Sequence, residues 1–200
     1  LVPLVGAVVV AAIPKGRDLL AKQIALAVSV LVLALTVAMA LQFDAAGPTF
    51  QFVESHEWIP AFGISYSVGI DGIALVLIAM ATVLVPLVIL SAWHEADGAT
   101  RPVKVYFALI LALETLMIGV FSATDLFLFY VSFEVMLIPV YFMIGMFGGP
   151  QRSYAAVKFL LYSLLGGLLM LAALIGLWVV SARELGSGTF DYFVLSDLPI

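Results

Sequence analysis

The sequence predicts an all-α fold, a polytopic transmembrane helix bundle. Of its 200 residues 64% are hydrophobic and only 10% charged, where a soluble domain carries about 25% charged residues. The mean hydropathy is +1.23. Long apolar runs recur along the chain, separated by short polar or basic stretches. The bilayer is therefore the main solvent and the first expected partner, and no nucleic-acid partner is expected. Within hydrocarbon every backbone N–H and C=O must be satisfied inside its own segment, so helices are the natural form. Spanning strands would alternate in polarity over ~10 residues, and these runs do not.

About six spans follow in order. The first covers about 1–13 and ends at Pro14. The second covers 24–41 and ends at Gln42-Phe43-Asp44. The third and fourth cover about 70–92 and 103–121. The fifth covers 126–147 and stops at Gly148-Gly149-Pro150, a strong breaker. The sixth covers 154–180, long enough that it must tilt or project into the headgroups. All six belong to one transmembrane domain over residues 1–200. The first run is short and the last residues stop in an amphipathic stretch, so the chain is expected to be truncated at both ends. The loop at 42–69 is the only sizeable connection, and Trp58-Ile59-Pro60 with Phe62 predicts a hairpin lying on the outer surface.

The basic residues orient the bundle. Lys15, Arg17 and Lys22 lie between spans one and two, Arg101 and Lys104 between three and four, and Arg152 and Lys158 between five and six. Neither 42–69 nor 122–125 contains a lysine or arginine, and only Arg183 follows span six. The positive-inside rule makes the basic side cytoplasmic, with the first residue on the outer side.

Chemistry concentrates on a few polar groups inside the apolar runs. Glu134 is near mid-depth of span five, where a charge costs about 2.5 kcal/mol or more. The neutral acid costs less than the anion, so the state of this carboxyl depends on whether a cation is near. Proton relay, ion coordination and a buried pair are the tasks that such a residue serves. Glu114 is a second mid-depth acid, on span four. The plainer alternative for both is a hydrogen bond pinning helices together. Lys158 lies about one turn inside span six, where a lysine either snorkels to the interface or joins a relay. The depth gap from Lys158 to Glu134 is about 10 Å at 1.5 Å per residue. Tyr130, Glu134 and Tyr141 share a helix face. Pro139 frees the carbonyl of Val135 beside the acid. Asp71 and Asp125 sit where spans three and five begin, favoured there by the helix dipole. Ser163, Gly166 and Gly167 offer a small-residue face for close helix packing. There is no cysteine, which excludes disulfides and thiolate metal or iron–sulfur sites. His56 and His94 are far apart, so no metal site and no cofactor are expected in this chain.

The run from Gly119 to Gly145, with Phe133-Glu134, Pro139 and Tyr141-Phe142, resembles the fifth-helix motif of the antiporter-like membrane subunits of respiratory complex I. Tyr154-Ala155-Ala156-Val157-Lys158-Phe159, continuing to Tyr162, extends the resemblance, and Val68-Gly69-Ile70-Asp71 is similar to that family's entry to helix three. The likeness is strong over about 60–180, weak over the first 60 residues, and best to the M-type branch of bacterial NADH:quinone oxidoreductase. It implies that Glu134 is the family's essential glutamate and Lys158 the lysine opening helix six. Phe133 stands where the family usually has Trp. The resemblance also implies a longer subunit of which this is the N-terminal portion, with lysines further on that pair with the glutamate.

The expected function is therefore that of a proton-translocating membrane subunit of NADH:quinone oxidoreductase, in a bacterial inner membrane. Quinone reduction would be coupled to pumping through a relay of Glu134, Lys158 and Glu114. The enzyme is the whole translocase, with other membrane subunits as partners. Quinone, FMN and iron–sulfur clusters are expected in other subunits. A subunit of a multi-subunit sodium/proton antiporter or membrane-bound hydrogenase is the same-class alternative. A structural membrane scaffold is the alternative of another class.

Overall fold

The computed structural model describes residues 1–14, 16–94 and 103–198. Lys15 and Arg101, used above for orientation, lie outside the described residues. Six helices follow the apolar runs: α1 (Val2–Ala12), α2 (Asp18–Gln42), α3 (Gly72–Ser91), α4 (Val103–Ser122), α5 (Leu126–Phe147) and α6 (Arg152–Leu185), with a short α7 (Tyr192–Ser196) after them. Helices α2 to α6 are long and apolar enough to cross a membrane. Helix α1 has 11 residues, a rise of about 16 Å against a hydrocarbon core of about 30 Å. The polytopic helical class is the observed one. Within it α2 begins six residues before its apolar run and α6 continues five residues past its own. Both extensions carry charged residues, which a hydropathy boundary leaves out.

The 42–69 connection contributes the only strands among the described residues. β1 (Gln51–Ile59) and β2 (Ile64–Ile70) pair antiparallel, with Gln51 opposite Ile70 and Ile59 opposite Ile64. A 3-10 turn, Pro60–Phe62, joins them and ends at Gly63 with φ 65. Only glycine suits that position: the backbone is left-handed, and a Cβ there would stand 2.4 Å from the Gly188 carbonyl oxygen. The hairpin is tied down along its length. Thr124 N–H donates to the Ser67 carbonyl at 2.9 Å, and the Ser67 and Thr124 hydroxyls meet at 2.8 Å. Trp178 Nε1 of α6 donates to the Phe62 carbonyl at 2.8 Å.

Asp125 joins hairpin to bundle. One carboxylate oxygen caps α5, accepting from the N–H groups of Phe127 and Leu128 at 2.9 Å. The other accepts from Ser65 N–H on β2 at 3.0 Å. The residue is 1% exposed, so its three donors lose their partner together if it is truncated. Asp125→Ala is expected to destabilise the protein by about 3 kcal/mol, and Asp125→Asn, which caps nearly as well, by about 1 kcal/mol. Thermal unfolding in detergent, with amide exchange at Ser65, checks both.

Helix α4 is the hub of the bundle, packing on α1, α2, α3 and α5, while α6 packs on α5. Two buried apolar cores result. The first, at the basic end, joins Ala7 and Val10 with Ala21, Ala25, Val85, Ile89, Phe107 and Leu111. The second, at the hairpin end, holds Ile70, Ala74 and Ile78, with Met39 and Ile118 against it. Two lysines close helix ends at the basic side. Lys104 Nζ donates to the Ala11 carbonyl at 2.9 Å and the Ile13 carbonyl at 2.6 Å. Lys22, 3% exposed, donates to the Trp93 carbonyl and stacks 5.7 Å from that ring's centroid. Cations at helix C-termini satisfy carbonyls that the helix cannot.

Candidate functional site

Helix α5 runs unbroken through Pro139 and carries Glu134 at mid-length. The side chain is half-buried, and its Oε1 is fully enclosed without a hydrogen-bond partner. It points at α6. A Cβ built on Gly167 would lie 1.5 Å from Glu134 Oε1 and 2.6 Å from its Cδ. The carboxyl therefore occupies the space that any side chain at 167 would fill. Gly166, its neighbour, meets nothing within 4 Å. Of the small-residue face read from sequence, Gly167 is the position that admits a close approach.

The α5–α6 register follows from two contacts. A Cβ on Gly145 would meet Ala156 at 3.5 Å, and Glu134 meets Gly167 in the same antiparallel register. Lys158 is then level with Met143, about 13.5 Å of helix rise from Glu134. The gap of about 10 Å given from sequence is too small, since nine residues of helix rise separate the two levels in the packed register. Lys158 is exposed, with Nζ 5.7 Å from the Tyr154 ring centroid, a cation–π geometry. Glu134 and Lys158 are not in contact.

Glu114 is 0% exposed, and both of its carboxyl oxygens lack a hydrogen-bond partner. Its direction follows from the α4–α5 contact, where a Cβ on Gly119 would sit 3.3 Å from Ser132 Oγ. At about 100° per residue, Glu114 points about 140° away from that contact on α4, and Glu134 about 160° away from it on α5. The two acids are within about 4.5 Å in depth by the same rise, yet they face opposite sides of the α4–α5 pair. Glu114 instead continues the stripe of Phe107 and Leu111, on the side of α1, α2 and α3. The two mid-depth acids thus stand at separate sites.

Asp71 and Asp125 are N-caps, Asp71 accepting from Ala74 N–H at 2.7 Å. Sequence reasoning missed Gly167 as the surface that receives Glu134. It also missed Lys22 and Lys104 as helix clamps, since positive-inside counting treats every lysine alike.

Residues 123–194 match the family described as NADH:quinone oxidoreductase/Mrp antiporter, TM. The chain is 48% identical, over 96% of its length and 39% of the relative's, to NADH-quinone oxidoreductase subunit M of Mycobacterium tuberculosis. It is 44% identical to the subunit of the same name from Rhodobacter capsulatus, over 96% of this chain and 36% of that one. Among solved structures it is similar to a chain of respiratory complex I from Thermus thermophilus with bound NADH. There the TM-score is 0.82 and the identity 27%, covering 100% of this chain and 38% of that one. The chain spans under two fifths of the length of each of these relatives.

Proposed function

The chain belongs to the antiporter-like membrane subunits of the NADH:quinone oxidoreductase family, in its subunit M branch, and from that membership we propose that it is part of a proton-translocating subunit of complex I. Quinone reduction in partner subunits drives the proton movement, and FMN, iron–sulfur clusters and quinone belong to those partners. The single observation that carries the reading is Glu134: a mid-membrane carboxyl with an enclosed, unpartnered oxygen, pressed against a glycine of the next helix. A group so placed answers to any cation that approaches, because in a medium of low dielectric the charge of a neighbour decides whether the acid holds its proton.

In this mechanism Glu134 takes up and releases one proton per cycle as a cationic group draws near and withdraws. Lys158, about 13.5 Å away by helix rise, acts on Glu134 through intervening water rather than by direct pairing. Its exposed ammonium near the basic end of α6 places positive charge where protons enter. The basic ends face the cytoplasm of a bacterial inner membrane and the hairpin faces the outer side.

The test is purification of the full-length protein from its own membranes by an affinity tag. The expected result is co-purified NADH:quinone reductase activity, with NADH-driven proton uptake after reconstitution into vesicles. An assembly that exchanges sodium for protons and does not oxidise NADH would assign the chain to the antiporter complexes instead.

A further inference from the structure

Glu134 is roofed on its hairpin side. At about 100° per residue around α5, Tyr130 stands about 40° and Phe127 about 20° from Glu134, rising about 6 Å and 10.5 Å toward the hairpin. The facing wall on α6 has the same spacing from Gly167: Leu171 stands about 40° and Leu174 about 20° away, at about the same heights. All four side chains are half-buried. Gly167 receives the Glu134 carboxyl, so the two rows face each other along the seam above it. Tyr130 is level with Leu171, and Phe127 with Leu174. In these two rows the only polar side-chain atom is the Tyr130 hydroxyl, one turn from the acid and below Phe127.

Phe127 is the hub of the closure. Its ring centroid lies 6.2 Å from that of Tyr130, 6.2 Å from Trp58 on β1 and 5.7 Å from Phe190, in the segment after α6. Three elements thus bring a ring to one phenyl group, and the outer two rings are held in place. Phe190 is 7% exposed; its carbonyl accepts from Leu126 N–H at 2.9 Å, and its N–H donates to the Gly63 carbonyl at 3.4 Å. Trp58 is the extra residue of a β-bulge, since Glu57 pairs with Ser65 and Ile59 with Ile64. Such a bulge re-aims its side chain. Asp125 fastens the same hairpin to the first turn of α5. A proton moves along an unbroken chain of hydrogen bonds, and packed phenyl rings offer water none. Apolar constrictions close pores in this way, by dewetting.

We propose that Phe127 is the outer gate of Glu134: braced by Trp58 and Phe190, its ring bars water and protons on the hairpin side and cuts the acid off from that face in this state. The proposal rests on the relay role given to Glu134 above, and it supplies what keeps that relay from short-circuiting. A pump fails when one site meets both sides of the membrane at once, because protons then run back down their gradient. Alternating access needs a closure on each side of the site.

The test reads passive leak. The intact complex in sealed vesicles, without NADH, is given a proton gradient, and its decay is followed with a trapped pH dye. Phe127→Ala should raise the leak by about fivefold or more. Phe127→Leu keeps the apolar bulk and should leak at least about threefold less than the alanine variant. Phe129→Ala is the control: that ring lies about 140° from Glu134 around α5 and stacks on Phe133, so its loss should leave the leak at the wild-type level. Adding Glu134→Gln to Phe127→Ala should abolish the extra leak, because the acid is the next stop for the proton. Should Phe127→Ala fail to assemble, Trp58→Ala takes its place, since that side chain is 48% exposed on the hairpin. It should raise the leak by about twofold or more, again only while Glu134 is present. The proposal is overturned if neither variant leaks, if Phe127→Leu leaks as much as Phe127→Ala, if Phe129→Ala leaks equally, or if the leak survives Glu134→Gln. The leak needs no NADH. Failure here beside an intact effect of Glu134→Gln on NADH-driven proton uptake therefore removes the gate and leaves the function proposed above standing.

Discussion

Glu134→Gln is expected to lower NADH-driven proton translocation by about tenfold or more while the complex still assembles. The amide matches the acid in volume and shape, and such swaps usually cost less than about 1.5 kcal/mol. It also fits the same contact with Gly167. No hydrogen bond to Oε1 is lost, because none is present. What disappears is the exchangeable proton and the possible negative charge. Proton uptake by reconstituted vesicles, measured beside detergent-extracted assembly, separates two readings. A scaffold role predicts that Gln is harmless to transport and that Glu134→Ala harms assembly, since truncation opens a gap against Gly167. A relay role predicts that both variants lose transport and that Gln keeps assembly. Unimpaired pumping in the Gln variant would overturn the switch assigned to this residue.

The helical class was legible because bilayer burial writes itself into local composition: each long apolar run needs its own internal hydrogen bonds, so hydropathy and helix coincide. The hairpin was half legible. Trp58, Pro60 and Phe62 marked a turn, but the two strands depend on pairing with each other and on Thr124 and Asp125, some 60 residues away. Asp71 and Asp125 could be read as helix starts from position alone, since a cap is a local contact; the second duty of Asp125, holding Ser65, could not. The candidate acids were found from their cost in hydrocarbon. Their directions were not, because rotation and register between helices are fixed by packing. Gly119 against Ser132 and Glu134 against Gly167 set those angles, and they turn Glu114 and Glu134 apart. The burial of Ser29 and Thr82 was equally silent, since a hydroxyl in a membrane helix bonds its own backbone and carries little signal.

Gly167→Ala is the change expected to disturb Glu134 most without touching it. The added Cβ would fall 1.5 Å from Oε1, closer than any two unbonded atoms can approach. Either the helices separate or the carboxyl swings off α6. Moving the end of a glutamate is the lesser distortion, so the stability cost should stay within the about 1–3 kcal/mol typical of overpacking. Proton translocation should nevertheless fall by about tenfold, since positioning by a fixed neighbour is what such a shift removes. Gly166→Ala is the matched control: its Cβ meets nothing within 4 Å, and alanine favours a helix by about 1 kcal/mol over glycine. It should leave pumping unchanged. The decisive comparison is a double-mutant cycle on thermal stability. In a Glu134→Ala background the space beside residue 167 is open, so the cost of Gly167→Ala should vanish. An equal cost in both backgrounds would mean that α6 packs at Gly167 for reasons unrelated to Glu134, and that the glycine does not hold the acid in place.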